Sequence, residues 1–115
     1  MSLSDELRSR LQKLVDEHPI VLFMKGTKHF PHCGFSATVV EVLHRCGVED
    51  FVDVDVLRDP EIRQGVKEFS NWPTYPQLYV GGRFVGGADI VREMYESGEL
   101  EPMLRSVSSG GGSAS

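Results

Sequence analysis

The chain holds two cysteines, Cys33 and Cys46. Cys33-Gly34-Phe35-Ser36 has the outline of a C-x-x-C redox site with Ser36 at the place of the resolving thiol. Cys33 ends a loop, Gly26–His32, and opens a helical pattern that puts Val39, Val42, Leu43 and Cys46 on one apolar stripe. A thiol at a helix N-terminus faces unpaired N–H groups and the positive end of the helix dipole, which favour its thiolate. Lys25, Lys28, His29 and His32 add positive charge nearby in sequence. The pattern predicts an ionised, reachable nucleophile. Cys46 lies thirteen residues on, near the far end of the same helix. At ~1.5 Å of rise per residue the two are roughly 20 Å apart, and a disulfide needs Cα atoms within about 7 Å. Cys46 is therefore read as core, and Cys33 has no partner thiol within the chain. A mononuclear metal site from His29, His32 and Cys33 is a further reading, because mixed N/S ligands fall within five positions. The spacing is not that of a zinc finger and a fourth ligand is missing. Local charge and loop packing account better for the two histidines.

Something must position this loop. Leu7, Leu11, Leu14 and Val15 recur at helical spacing over Ser4 to His18, where Pro19 stops the helix. Ile20–Met24 is a continuous apolar run, as in a strand buried on both faces. Gly47 closes the Cys33 helix. Phe51–Val56 alternates apolar and polar, the pattern of a half-exposed strand. Asp59 and Pro60 start a helix that runs to about Phe69. Gln77–Val80, Gly81-Gly82 and Arg83–Val85 read as a two-residue hairpin. Asp89 can cap a helix reaching Glu96, and Leu100–Val107 forms a last short helix. The order α, β, α, β, α, β, β, α, α predicts an α/β fold: a four-stranded mixed sheet with helices on both faces. In such sheets sites form at loops beyond the carboxyl ends of strands, which is where Cys33 falls.

With 115 residues there is room for one core. Residues 1–107 make the domain, and 108–115, rich in Gly and Ser, are expected to be a disordered tail. A net charge of −5 gives no general attraction to nucleic acid. No apolar run approaches the ~20 residues of a membrane helix. Two cysteines are too few for a disulfide-stapled secreted domain. Met1–Glu6 has no apolar h-region and is not Arg-rich. The expected setting is intracellular and reducing.

Four stretches, in order and at matching intervals, give the chain a resemblance. They are Phe23–Thr27, Cys33–Ser36, Asn71-Trp72-Pro73-Thr74-Tyr75-Pro76-Gln77, and Gly86-Gly87-Ala88-Asp89-Ile90. Together they resemble the CGFS-type monothiol glutaredoxins, over roughly Ser4 to Val107. The resemblance implies a thioredoxin-like fold and a glutathione site. It assigns Lys25 to the active-site sulfur and a glutathione carboxylate. Cys33 is the glutathione-reactive and metal-ligating thiol, with Phe35 beside it. Arg63 reaches the glycine carboxylate. Thr74 and Tyr75 precede Pro76 in a cis-proline loop whose Tyr75 N–H and C=O pair with glutathione in strand fashion. Gly87, Ala88 and Asp89, at a helix start, hold the γ-glutamyl end. Many relatives carry cysteine where this chain has Ala88, which puts a dithiol mechanism in doubt here.

The resemblance further implies a [2Fe–2S] cluster. Such a cluster usually takes four thiolates, and this chain offers one. The count closes when two chains each give Cys33 and two glutathiones give the rest, so the loaded form is a homodimer. Storage of the cluster and its transfer to apo iron–sulfur proteins is the first functional reading, with BolA-family proteins as the partner class the family suggests. The alternative is a weak oxidoreductase removing glutathione from protein mixed disulfides. The motifs resemble those of plastid and cyanobacterial members, which implies the plastid stroma, with the cytoplasm as the other possibility.

Overall fold

The computed structural model describes the backbone of residues 3–113 and the side chains of residues 3–107. Ile20–Met24 forms β1, with all five residues buried. Its side chains alternate: Ile20, Leu22 and Met24 enter one core, Val21 and Phe23 the other. That double burial puts β1 inside the sheet. The strand order is β2-β1-β3-β4, with β2 Val52–Asp55, β3 Gln77–Val80 and β4 Arg83–Gly86. β1 pairs in parallel with β2 and antiparallel with β3, and β3 pairs antiparallel with β4. Gly81 and Gly82 both have positive φ, 60° and 80°. A two-residue hairpin turn of the type that follows strand twist requires this.

Helices α1 (Asp5–Glu17) and α3 (Pro60–Ser70) cover one face, packing Leu7, Leu11, Val15 and Val66 against Val21, Phe23 and Tyr79. Helices α2 (Gly34–Arg45), α4 (Ala88–Ser97) and α5 (Leu100–Ser113) cover the other, through Val39, Leu43, Val91, Leu100 and Leu104. The four-stranded mixed sheet with helices on both faces is thus the architecture expected. The element order is too, except that a 3₁₀ turn, Val56–Arg58, follows β2.

Two readings are corrected. β2 is not half-exposed in alternation; Val52, Asp53, Val54 and Asp55 are all half-buried. The reason is that the Gly26–His32 loop folds over the polar side of β2. The Gly26 N–H donates to Asp55 (2.9 Å) and the Lys28 N–H to Asp53 (2.8 Å). The last helix also continues past Val107 to Ser113. The tail expected over 108–115 otherwise lies outside the described residues.

Candidate functional site

The site grows from the end of β1. After Met24 the chain turns away through Lys25 and Gly26, and three bonds fix where it goes. The Lys25 N–H donates to the buried Ser36 hydroxyl (3.1 Å), and the His32 N–H returns to the Lys25 carbonyl (2.9 Å). Gly26 bridges to Pro31. Gly26 has φ 91°, and a Cβ there would sit 2.5 Å from the Phe30 carbonyl oxygen, so the turn needs glycine. Ser36, at the place of a resolving thiol, is therefore a strut that joins α2 to the end of β1.

Cys33 is the N-cap residue of α2, half-buried, with no side-chain bond to the helix N–H groups. Cys46 is the C-cap residue of the same helix, and both cysteines are free. Their separation along α2 is as expected. Cys46 packs against the larger core but is only half-buried. Burial, and then the charge of Glu101, push its thiol pKa up.

Around Cys33 lies an open groove of about 660 Å³. Lys25, Phe35, Arg63, Thr74 and Tyr75 line it together with the cysteine, as do Gly87, Ala88 and Asp89. Nine of the ten residues expected at the site therefore meet in one groove. The tenth, Pro76, is buried and does not line it. Its contribution is the Tyr75–Pro76 peptide bond, which is cis as expected. The Tyr75 backbone N–H and C=O have no hydrogen-bond partner among the described residues. The Tyr75 hydroxyl donates to the Arg63 carbonyl, tying the loop to α3. Burial holds that phenol protonated well beyond its usual range, against the opposing charge of Arg63.

Helix α4 begins at Ala88 with Gly87 as N-cap, and no side chain caps it. Asp89 is therefore not the cap that the sequence suggests. It sits in the first turn, exposed, 3.7 Å from Arg92. The opening N–H groups of α2 and α4 thus both lack capping side chains.

Four residues absent from the expected set also line the groove: Lys67, Trp72, Pro73 and Ile90. Lys67 was legible, since it follows Arg63 by one helical turn and shares its face. Its ammonium lies 6.0 Å from the centre of the Tyr75 ring. The indole N–H of Trp72, the single tryptophan, is buried without a partner.

Of the cations grouped with Cys33 in sequence, Lys25 alone lines the groove with it. Lys28 turns the other way. Its ammonium donates to the carbonyls of Glu49 and Phe51 and lies 4.3 Å from the Phe51 ring centre. It fastens the loop to β2 and does not serve the thiol. His29 and His32 are exposed. Among the described residues no group of three or more His, Cys, Asp or Glu side chains is arranged to hold a metal ion, which overturns the reading from His29, His32 and Cys33. No helix there is long and apolar enough to cross a membrane.

A sheet of this order, with one thiol in its groove and a cis-proline before β3, defines a class that sequence comparison makes specific. Residues 20–85 match the Glutaredoxin family profile. An uncharacterised monothiol glutaredoxin ycf64-like of Synechocystis is 53% identical over 102 residues, 89% of this chain and 94% of that protein. The chloroplastic monothiol glutaredoxin-S14 of Arabidopsis thaliana is 53% identical over 100 residues, 87% of this chain and 57% of the relative. Among solved structures, reduced apo GrxS14 of poplar superposes with a TM-score of 0.79 at 50% identity, covering 93% of this chain and 97% of that one. A buckwheat glutaredoxin–glutathione complex superposes with 0.77 at 25% identity, covering 88% and 89%. The chain belongs to the glutaredoxin family and, within it, to the monothiol glutaredoxins.

Proposed function

We propose that the chain binds glutathione in this groove and, with a second copy, uses Cys33 to carry a [2Fe–2S] cluster to apo iron–sulfur proteins. The observation that carries this is the lone thiol on a groove fitted for a zwitterionic tripeptide. Lys25, Arg63 and Lys67 line the groove and supply positive charge for the glycine carboxylate. The unpaired N–H and C=O of Tyr75 offer strand-like pairing in the middle. The uncapped start of α4 receives the γ-glutamyl carboxylate, with Asp89 for its ammonium. A solved glutathione complex of a buckwheat glutaredoxin with the same fold supports the assignment.

The donor set is compatible with a cluster shared between two copies. Cys46 lies at the opposite end of α2, so one chain offers one thiolate. Four require two copies and two glutathiones. Glutathione, being exchangeable, then lets the cluster leave. BolA-family proteins are the proposed partner class. The plastid stroma is the proposed compartment, supported by chloroplastic relatives.

The same groove supports a second chemistry. The Cys33 thiolate attacks the glutathione sulfur of a protein mixed disulfide, and the protein leaves as its thiolate. A second glutathione thiolate then attacks the Cys33–glutathione disulfide, releasing oxidised glutathione and restoring Cys33. Ser36 cannot resolve it, because resolution needs a thiolate and Ser36 carries a hydroxyl.

Anaerobic reconstitution with iron, sulfide and glutathione decides between the two. The expected product is a coloured dimer by light scattering, with one cluster per two chains. A colourless monomer that still reduces mixed disulfides would leave only the second chemistry.

A further inference from the structure

Gln77, the first residue of β3, is polar and fully buried. Burying a carboxamide is costly unless its groups are paired. Here the pairing is one-sided. Its Nε2 donates to the Trp72 carbonyl (3.1 Å) and to the Thr74 carbonyl (3.1 Å), while its Oε1 has no partner. A residue that only filled space would be leucine or methionine. This one is kept for its two donors, both spent on the loop between α3 and β3.

The geometry points to Gln77 as the positioning residue that aims the Tyr75 N–H into the groove. This inference rests on the glutathione reading. The peptide bond joining Thr74 to Tyr75 is trans, the cis bond being the next one. In a trans peptide the C=O and the N–H point in opposite directions. Drawing the Thr74 oxygen inward to Gln77 therefore turns the Tyr75 N–H outward, on the stretch where Thr74 and Tyr75 line the groove. That N–H is the one left without a partner. The other anchored carbonyl, Trp72, precedes Pro73, which has no N–H to present. Gln77 thus fixes two peptide planes and exposes one donor. The Tyr75 hydroxyl, held by the Arg63 carbonyl, locks the same residue from its other end. Gln77 never touches the ligand; it acts through the loop.

The test is Gln77→Met, which keeps length and apolar volume and removes both donors. By calorimetry, glutathione should bind the variant about tenfold more weakly than wild type, the size of one lost oriented hydrogen bond. Alkylation of Cys33 by iodoacetamide, which makes no use of the Tyr75 N–H, should stay within about twofold. Amide hydrogen exchange gives a second readout that a packing role would not move. In wild type the Tyr75 amide should exchange fast when free and slowly with glutathione, and in the variant glutathione should not slow it. If Gln77→Met fails to fold, Gln77→Glu replaces it. A carboxyl donates only when protonated, so its binding should tighten relative to wild type as pH falls from 8 to 5. Equal glutathione affinity in wild type and the folded variant overturns the inference while leaving the glutathione reading intact. Wild type that binds no glutathione overturns the reading, and the inference with it.

Discussion

Helices α1 and α3 begin differently from α2 and α4. The Ser4 hydroxyl accepts from the Leu7 N–H at the start of α1, and the Asp59 carboxylate accepts from the Glu61 N–H at the start of α3. Helices α2 and α4 begin at Cys33 and Gly87 with no side-chain cap. A missing cap costs about 1 kcal/mol. The closed starts lie away from the groove and the open ones face it, together with the unpaired backbone of Tyr75. The difference teaches that the candidate site consists of hydrogen-bonding capacity the fold leaves unused, beside helices whose own starts are capped by their side chains.

The comparison breaks most sharply at Cys33. Treated with oxidised glutathione, the protein should gain one glutathione adduct by intact mass, Cys46→Ser should do the same, and Cys33→Ser should gain none. A loss of two hydrogens without an adduct would contradict the separation of the two thiols along α2.

The two buried tyrosines, Tyr75 and Tyr79, should respond to alkali. Burial pushes the Tyr79 phenol up to about 12, and Tyr75 rises in the same direction. Below about pH 10 both the folded and unfolded chains keep these protons, so nothing changes. Above it the unfolded chain ionises first, and stability falls until the folded value near 12 is passed. The slope is about 1.4 kcal/mol per pH unit for each such group. Urea midpoints measured from pH 8 to 12 should show the fall, and Tyr79→Phe should flatten it.

Closing one open helix start should sharpen the comparison. A Cβ at Gly87 meets the Trp72 indole nitrogen at 3.3 Å and the Pro76 oxygen at 3.4 Å, so Gly87→Ala tests steric crowding alone. Gly87→Ser adds a hydroxyl that can cap α4. We expect the serine variant to be up to about 1 kcal/mol more stable than the alanine variant and to bind glutathione several-fold more weakly, as read by melting and by calorimetry. Equal affinity in the two variants would mean that the open N–H groups of α4 hold nothing.

The smallest effect belongs to the closed side. Asp59→Ala should cost about 1 kcal/mol of stability and leave glutathione affinity within error, since Asp59 serves only the start of α3.

Much of this was legible in sequence because it is encoded over short spans. The run Ile20–Met24 announced a strand buried on both faces, Asp59-Pro60 announced a helix start, and the double glycine at 81 and 82 announced the hairpin. The thirteen-residue gap along one helix is enough to separate the two thiols. Lys67 was available through its spacing from Arg63 but carried no motif. The alternation over Phe51–Val56 misled, because period-two patterning reports which face a side chain takes and not what folds over that face.

The chain alone thus determined its elements, the place of its lone groove thiol and the shape of its sheet, since propensity and periodicity act between neighbours. The tertiary structure decided how the polar groups were spent. Lys28 stands three residues from Lys25 in sequence, yet its ammonium goes to Glu49 and Phe51 while Lys25 lines the groove. Gln77 reads as an ordinary strand residue until its amide is seen on two loop carbonyls. The Gly26–Asp55 bond spans 29 residues and the Lys28–Asp53 bond 25. Such partners meet only after the sheet has formed, and burial then obliges each polar group to take whichever partner packing has brought within about 3 Å.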